Sequence, residues 1–260
     1  MKISTWNVNS VNARIDHIIN FLKKTSVDIL LLQELKCINE NFPNDKIDEI
    51  GYKSYVNGQK AWNGVAIISK KKLIITNKNI PKFKDHNSRF IETEIILKKI
   101  KKKIKLICIY LPNGNPIDSE KFVYKLNWMK NFNKYIKSII NKNPIIIGGD
   151  FNVIPTDDDV YEPKYFLDDA CAHPETRKLY RTLINQGFTD VIKNFMKGNA
   201  NWTYWGYRGG SWPKNNGLRI DHFLTTPEIT DLIKNVKILK EIRGYEKASD
   251  HTPVIIEVEN

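Results

Sequence analysis

Side chains able to bind a hard cation or move a proton stand at the ends of apolar runs in this chain. Asp150 and Asn152 follow Ile145-Ile146-Ile147-Gly148-Gly149, and Ser249-Asp250-His251 leads into Thr252-Pro253 and a last apolar stretch. Asn7 closes the opening run, and Glu34 follows Leu30-Leu31-Leu32-Gln33. Each sits where a buried strand should give way to a loop, the place where α/β scaffolds present their chemistry. Carboxylates, amides and a histidine converging from across the sequence suit hydrolysis of a phosphodiester around a hard cation.

Each group also has a plainer reading. The glycines before Asp150 let the chain turn sharply at a strand end, and Asn152 points the same way as Asp150 if the backbone stays extended. A carboxylate there can take a proton from water while the amide fixes the water or a phosphate oxygen; the plainer reading is an Asx-turn. His251 can pass protons near neutral pH, with Asp250 beside it to bind a cation, or the pair is a solvent-exposed turn. Glu34 abuts an apolar run and needs a metal or a basic partner, unless it is simply an exposed strand end. Asn7 alone is uninformative.

Arg219-Ile220-Asp221-His222 reads as strand, with Arg219 and Asp221 on one face. Asp221 there can hold His251 in the tautomer a general acid or base requires, or Asp221 and Arg219 form a structural pair. His222 is expected to pack, and His17, His86 and His173 to lie at the surface. Tyr110 ends another strand before Leu111-Pro112-Asn113-Gly114, its hydroxyl able to reach a phosphate oxygen or to remain half-buried. Trp202, Tyr204, Trp205, Tyr207, Arg208 and Trp212 form an aromatic and basic group that can sit beside a sugar or stack on a base, or pack in the core.

The elements that must position these residues alternate. Lys2 to Val8 and Val27 to Leu32 read as strands, with Asn12 to Lys24 between them a helix carrying Ile15, Ile18, Ile19 and Leu22 on one face. Pro43 to Ile50 reads as a short helix stopped by Gly51. Tyr52 to Asn57, Gly64 to Ser69, Leu73 to Thr76 and Phe90 to Leu97 are short β-rich runs, the last paired as a hairpin with Ile104 to Leu111. Asp118 to Ile140 reads as a long helix before the strand at Ile145-Ile146-Ile147. Glu175 to Gln186 reads as helical; Trp202 to Trp205, Leu218 to Leu224, Val236 to Leu239 and Val254 to Val258 read as strands. This order predicts two sheets packed face to face with helices outside. No linker, low-complexity segment or repeat divides residues 1–260, so a single domain is expected.

Composition narrows the classes. A hydrophobic content of 41% with 27% charged residues fits a globular chain with a substantial core. The net charge of +12 favours an acidic partner such as nucleic acid, although a lysine-, asparagine- and isoleucine-rich genome would give the same balance. Cys37, Cys108 and Cys171 are widely spaced and odd in number, which argues against a disulfide framework and a thiolate zinc site. The N-terminus carries no secretory apolar stretch, and no apolar run approaches the roughly 18 residues that cross a bilayer. A cytoplasmic protein without membrane contact is expected.

Taken in order, the motifs resemble the exonuclease III-type abasic-site endonucleases of the endonuclease/exonuclease/phosphatase superfamily. The resemblance runs through Ile3-Ser4-Thr5-Trp6-Asn7-Val8-Asn9, Leu32-Gln33-Glu34-Leu35-Lys36, Gly58-Gln59-Lys60, Gly64-Val65-Ala66 and Tyr110-Leu111-Pro112-Asn113-Gly114. It continues through Gly149-Asp150-Phe151-Asn152, Gly217-Leu218-Arg219-Ile220-Asp221 and Ser249-Asp250-His251-Thr252-Pro253-Val254. Any one motif is weak; the ordered set is specific and covers essentially the whole chain.

The resemblance implies a deoxyribonuclease-like α/β fold, a four-layer sandwich of two mixed sheets flanked by helices. It implies a Mg²⁺-dependent cut 5′ to an abasic site in duplex DNA, with Mn²⁺ able to substitute, leaving a 3′-hydroxyl. It also implies 3′-phosphatase, 3′-phosphodiesterase and 3′→5′ exonuclease activity on blocked 3′ ends, by a monomer. By position, Glu34 becomes the principal metal ligand with Asn7 and Asp250 nearby, and Asp150, Asn152 and His251 are candidates for a second metal site. Asp150 activates the attacking water, Asn152 helps hold it, His251 oriented by Asp221 contacts the scissile phosphate, and Tyr110 supports the phosphate or leaving group. Trp205, Leu218 and Ile220 match the abasic pocket, Asn113 belongs with this DNA-facing set, and Arg89 reaches toward the DNA groove. Ser10-Val11-Asn12 replaces the usual Gly-Leu-Arg, Leu218 stands where some members have Trp, and Asp168 to Arg177 differs from better-known bacterial members. These departures bear on exonuclease strength and damage preference. Two other readings remain: a relative cleaving an inositol phosphate or sphingomyelin, and a nucleic-acid-binding module with a decayed site. The first would lack the Gly58-Gln59-Lys60 and Leu218-Arg219-Ile220-Asp221 context; the second is opposed by a competent residue at every expected catalytic position.

Overall fold

The computed structural model describes residues 1–260. In chain order its strands are β1 (Lys2–Asn7), β2 (Ile29–Gln33), β3 (Lys53–Asn57), β4 (Val65–Ser69), β5 (Ile74–Asn77), β6 (Phe90–Leu97), β7 (Lys102–Tyr110), β8 (Ile145–Asp150), β9 (Thr189–Asp190), β10 (Asp221–Thr225), β11 (Ile233–Ile238) and β12 (Val254–Val258). They form two six-stranded sheets, ordered β11-β12-β1-β2-β4-β3 and β5-β6-β7-β8-β10-β9. Each sheet contains one parallel pair, β1 with β2 and β7 with β8, among antiparallel neighbours. Both parallel pairs are joined by a helix, α1 (Ile15–Thr25) in the first sheet and, after α2 (Asn44–Asp48), α3 (Glu120–Ile139) in the second. A parallel pair needs such a crossover because its strands start at the same edge.

Four layers result, as expected. Ile3, Ile29, Leu31 and Ile67 of one sheet pack with Leu106, Cys108, Ile146 and Phe223 of the other. Outside the first sheet, Ile18, Phe21 and Leu22 of α1 cover Leu30, Leu32 and Ile68. Outside the second, Trp128, Phe132 and Ile136 of α3 and Tyr180 and Leu183 of α4 (Pro174–Ile184) cover Ile107, Ile145 and Ile147. The central strands are therefore buried on both faces, which explains their uninterrupted apolar sequence.

Two local expectations change. Gly148 and Gly149 lie inside β8 rather than at a turn. A Cβ on Gly148 would come 2.6 Å from both Leu31 and Phe223, and one on Gly149 would come 2.0 Å from the Ile109 carbonyl oxygen. These glycines allow close sheet packing; the turn comes later, at Asn152 with φ 47°. Trp202 to Trp205 does not form a strand, and only Tyr204 makes isolated bridges, to Leu218 and His251. Leu218 to Ile220 likewise precede β10, because the chain there crosses the sheet end instead of joining it.

Candidate active site

The parallel pairs fix the site. Asn7 lies opposite Gln33 at the ends of β1 and β2, and Tyr110 opposite Asp150 at the ends of β7 and β8. Asp221, the first residue of antiparallel β10, lies opposite Asp150. His251 comes just before β12, and its main chain bridges Tyr204. Because the two sheets face each other, these strand ends open on one cleft. The residues leaving the strands turn tightly, with Asn9, Glu34 and Asn152 all at positive φ. Asparagine tolerates this region better than most residues, whereas Glu34 there is strained and is held by its partners.

Ligand atoms of Glu34, Asp150 and His251 lie within 4.8 Å of one another. The Asn7 amide joins the carboxylates, its Nδ2 donating to Glu34 Oε1 and Asp150 Oδ2 at 2.9 Å each. Its Oδ1 accepts the Asn9 N–H at 3.0 Å. The Tyr110 hydroxyl donates to Glu34 Oε1 at 2.9 Å, and Lys36 Nζ lies 3.1 Å from Glu34 Oε2. His251 Nδ1 stands 2.8 Å from Asp221 Oδ2, and its Nε2 3.7 Å from Asp150 Oδ2. The Asn152 N–H donates to Asp150 Oδ1 at 2.9 Å, so this segment is both an Asx-turn and part of the cleft. The plainer reading and the chemical one coincide.

Burial and charge act in opposition here. Burial pushes the Asp150 carboxyl up to about 7, against the pull of His251. For His251 burial favours the neutral ring, but Asp221 and Asp150 outweigh it and hold the imidazole up at about 10. Burial, followed by the charges of Glu34 and Asp150, raises the Tyr110 phenol well above its ordinary value. The other Asp221 oxygen, Oδ1, is buried without a hydrogen-bond partner. The Glu34 and Asp150 carboxylates, drawn together in one cleft and bridged by the Asn7 amide, supply the hard oxygen ligands a divalent cation prefers.

The cleft is about 700 Å³ in volume. Leu218, Ile220 and Asn113 line it, as expected, together with Tyr161, Phe166 and Cys171. Asn113 Nδ2 donates to Asn152 Oδ1 at 3.1 Å. Asp250 also lines the cleft but stands outside the tight cluster, its Oδ1 accepting from Asn9 Nδ2 at 3.1 Å. A depression of about 760 Å³ at the opposite ends of the strands, between Lys102, Lys142 and Thr226, holds no comparable acidic cluster.

Two residues expected to meet DNA, Trp205 and Arg89, do not line the cleft. Trp205 is fully buried, edge-on to Trp212 at 5.0 Å and donating to Asn215 Oδ1 at 3.2 Å. Tyr204 lines the cleft instead, its ring 4.8 Å from the His251 imidazole. Neighbours in an extended chain face opposite ways, and the aromatic run did not reveal which set faces the site. Arg89 stands beside Tyr110, its guanidinium 4.7 Å from that ring and donating to the Tyr110 carbonyl at 3.2 Å. Lys36 and Asn9 were not singled out from sequence; both stand in motifs at strand ends, next to Glu34 and Asn7, which was the available signal. The alternative in which Arg219 pairs with Asp221 is not realised: Arg219 pairs with Asp159 and Asp190 at 2.8 Å each.

Residues 4–251 match the model of the Endonuclease/Exonuclease/phosphatase family. The chain is 29% identical to exodeoxyribonuclease III of Haemophilus influenzae over 266 aligned positions, covering 98% of each. It superposes on an AP endonuclease from Archaeoglobus fulgidus with a TM-score of 0.93 at 31% identity, and on a 3′-5′ exonuclease from Neisseria meningitidis with 0.94 at 33%, over 100% of each chain. A Neisseria 3′ phosphatase bound to a product DNA hairpin gives 0.91 at 32% identity, again over 100% of each chain.

Proposed function

The chain belongs to the endonuclease/exonuclease/phosphatase family, and from that premise we propose that it is a DNA-repair nuclease. It hydrolyses the phosphodiester 5′ to an abasic site in duplex DNA with Mg²⁺, or with Mn²⁺ in its place. It also clears blocked 3′ ends by 3′-phosphatase, 3′-phosphodiesterase and 3′→5′ exonuclease action. The reading is carried by one observation: Glu34, Asp150 and His251 bring their ligand atoms within 4.8 Å at the floor of a cleft. The named activities of the exonuclease III, AP endonuclease and 3′ phosphatase relatives support DNA as the substrate.

Glu34 would hold the cation, with Asn7 and Asp250 nearby, which leaves Asp150, Asn152 and His251 to act on the water and the phosphate. A cation held there would supply positive charge for the phosphate and lower the cost of deprotonating water. Asp150 takes the proton of the attacking water, a task for which its raised proton affinity suits it. Asn152 Nδ2, 3.3 Å from Asp150 Oδ2, keeps that carboxylate turned toward the water. His251, steadied by Asp221, offers a protonated imidazole to the scissile phosphate, where negative charge grows as the water adds. Tyr110 supports the phosphate or the departing oxygen. Leu218 and Ile220, with Tyr204 beside them, form a wall for a sugar lacking its base.

The whole chain works as one domain and as a monomer in the cytoplasm, without membrane contact; none of its helices is long and apolar enough to cross a bilayer. Lys and Arg contacts to phosphate make binding weaken steeply with salt. The test is a duplex carrying one tetrahydrofuran abasic analogue. It should be nicked 5′ to the analogue in Mg²⁺ or Mn²⁺ and left whole in EDTA. Phosphoinositide hydrolysis without nicking, or tight DNA binding without turnover in either metal, would sink the reading.

A further inference from the structure

On the apolar face of α3, one turn from Phe122 and one from Trp128 and Met129, stands a lysine. Lys125 is completely buried, although an ammonium is costly to remove from water. Its hydrogen bonds run to main-chain carbonyls rather than to a carboxylate: Nζ donates to Asn113 O at 2.9 Å and to Asn152 O at 2.6 Å. These residues follow the parallel neighbours β7 and β8, so one donor group ties together the two turns that form the cleft floor. The turns are linked again above it, where Asn113 Nδ2 donates to Asn152 Oδ1. From there Asn152 Nδ2 reaches Leu111 O at 2.9 Å and Asp150 Oδ2 at 3.3 Å.

The chain is shaped to admit this side chain. Gly114, at φ +92°, lies against the lysine stem, and a Cβ there would come 2.5 Å from Lys125 Cδ and 3.2 Å from its Cβ. The packing thus leaves space for a stem whose head group serves only the two turns. Lys125 does not line the cleft and so meets no ligand directly.

We propose that Lys125 is a positioning residue for hydrolysis. It fixes the Asn152 main chain, and through the Asn152 amide it sets the direction of the Asp150 carboxylate. The assignment rests on the nuclease reading above. Lys125→Met keeps most of the stem and removes the donors, and should lower kcat for abasic-site nicking by ~10- to 10²-fold, the scale of a misplacement of about 1 Å. KM for DNA should stay unchanged, because Lys125 faces no ligand. In an Asn152→Ala background the same substitution should cost less, since the side-chain route to Asp150 is gone and only the bond from the Asn152 main-chain N–H remains.

Rates are compared below the thermal transition of each variant, with folding checked by circular dichroism. Lys125→Gln, which retains one donor head, should fall between Lys125→Met and wild type and serves if Lys125→Met does not fold. A folded Lys125→Met with the wild-type kcat, or losses that multiply in the double variant, would overturn the assignment. Failure of both variants to fold would also overturn it, leaving Lys125 a stabilising residue alone. Wild-type protein in the same assay keeps the two claims apart: no nicking by wild type defeats the nuclease reading, whereas nicking without coupling defeats only the role of Lys125.

Discussion

Asp221 and His222 are neighbours on one strand, and they belong to two buried polar clusters of opposite character. On the cleft side Asp221 faces His251, whose ring is flanked by carboxylates and held up at about 10. On the other side His222 Nδ1 stands 2.8 Å from Arg219 Nη1, and its Nε2 3.0 Å from the Val153 carbonyl. Burial, reinforced by Arg219, pushes His222 down to about 4. Two equally buried imidazoles are thus driven apart by the sign of the charge beside them.

The clusters differ as much in closure. Arg219 is bonded to Asp159 and Asp190, Tyr180 donates to Asp190 at 2.9 Å, and Asp159 accepts from Thr156. No side-chain atom of Arg219, Asp159, Asp190, Tyr180 or His222 is left buried without a partner, whereas Asp221 Oδ1 is. A closed network holds loops to a sheet; an open one, with an unpartnered carboxylate oxygen and a cleft in front of it, leaves room for a ligand.

The comparison can be broken at either cluster. The largest effect is expected from Arg219→Met, which strands two buried carboxylates and should cost about 3–5 kcal/mol in urea unfolding. The nicking rate per folded molecule should remain close to wild type; unchanged stability with collapsed activity would reverse the roles of the clusters. Next come Asp150→Asn and His251→Asn, each expected to slow nicking by at least ~10²-fold, the scale of losing a general acid or base. Asp150→Asn should leave the unfolding midpoint little changed, whereas His251→Asn strands the buried Asp221 carboxylate and should lower it as well; folded variants with wild-type rates would remove both residues from the chemistry.

The smallest effect separates the histidines by pH. His222 has a folded pKa of about 4, below its unfolded value of about 6.5. The unfolded chain therefore binds more protons between those values, and stability falls as pH drops through that window. The contribution is complete above about pH 6.5 and is lost toward about pH 4. Denaturant midpoints between these pH values should flatten in His222→Gln relative to wild type. An equal slope in both proteins would place the acid sensitivity elsewhere.

Much of this was legible because burial on both faces writes itself as apolar runs. β6 and β12 fall at the expected bounds, and the helix before β8 begins and ends within two residues of expectation. Glu34, Asp150 and His251 stood out as polar groups abutting such runs, and the structure brings them together. The rest depends on direction, which residue types do not carry. Tyr204 and Trp205 are chemically alike, and only the path of an irregular segment decides which faces the cleft. Arg89 is as suited to a phosphate as to an aromatic ring, and the ring of Tyr110 lies close beside it in the fold. Lys125 carries no signal in the sequence, since its partners are main-chain carbonyls that any sequence would supply.

The central claim is that these strand ends build a divalent-cation site, and crystals of the wild-type protein soaked in Mn²⁺ test it most directly. Anomalous difference density should appear within ligand distance of the Glu34 carboxylate and should vanish from Glu34→Ala crystals. Density confined to other parts of the surface, or a cleft empty at saturating Mn²⁺, would contradict it.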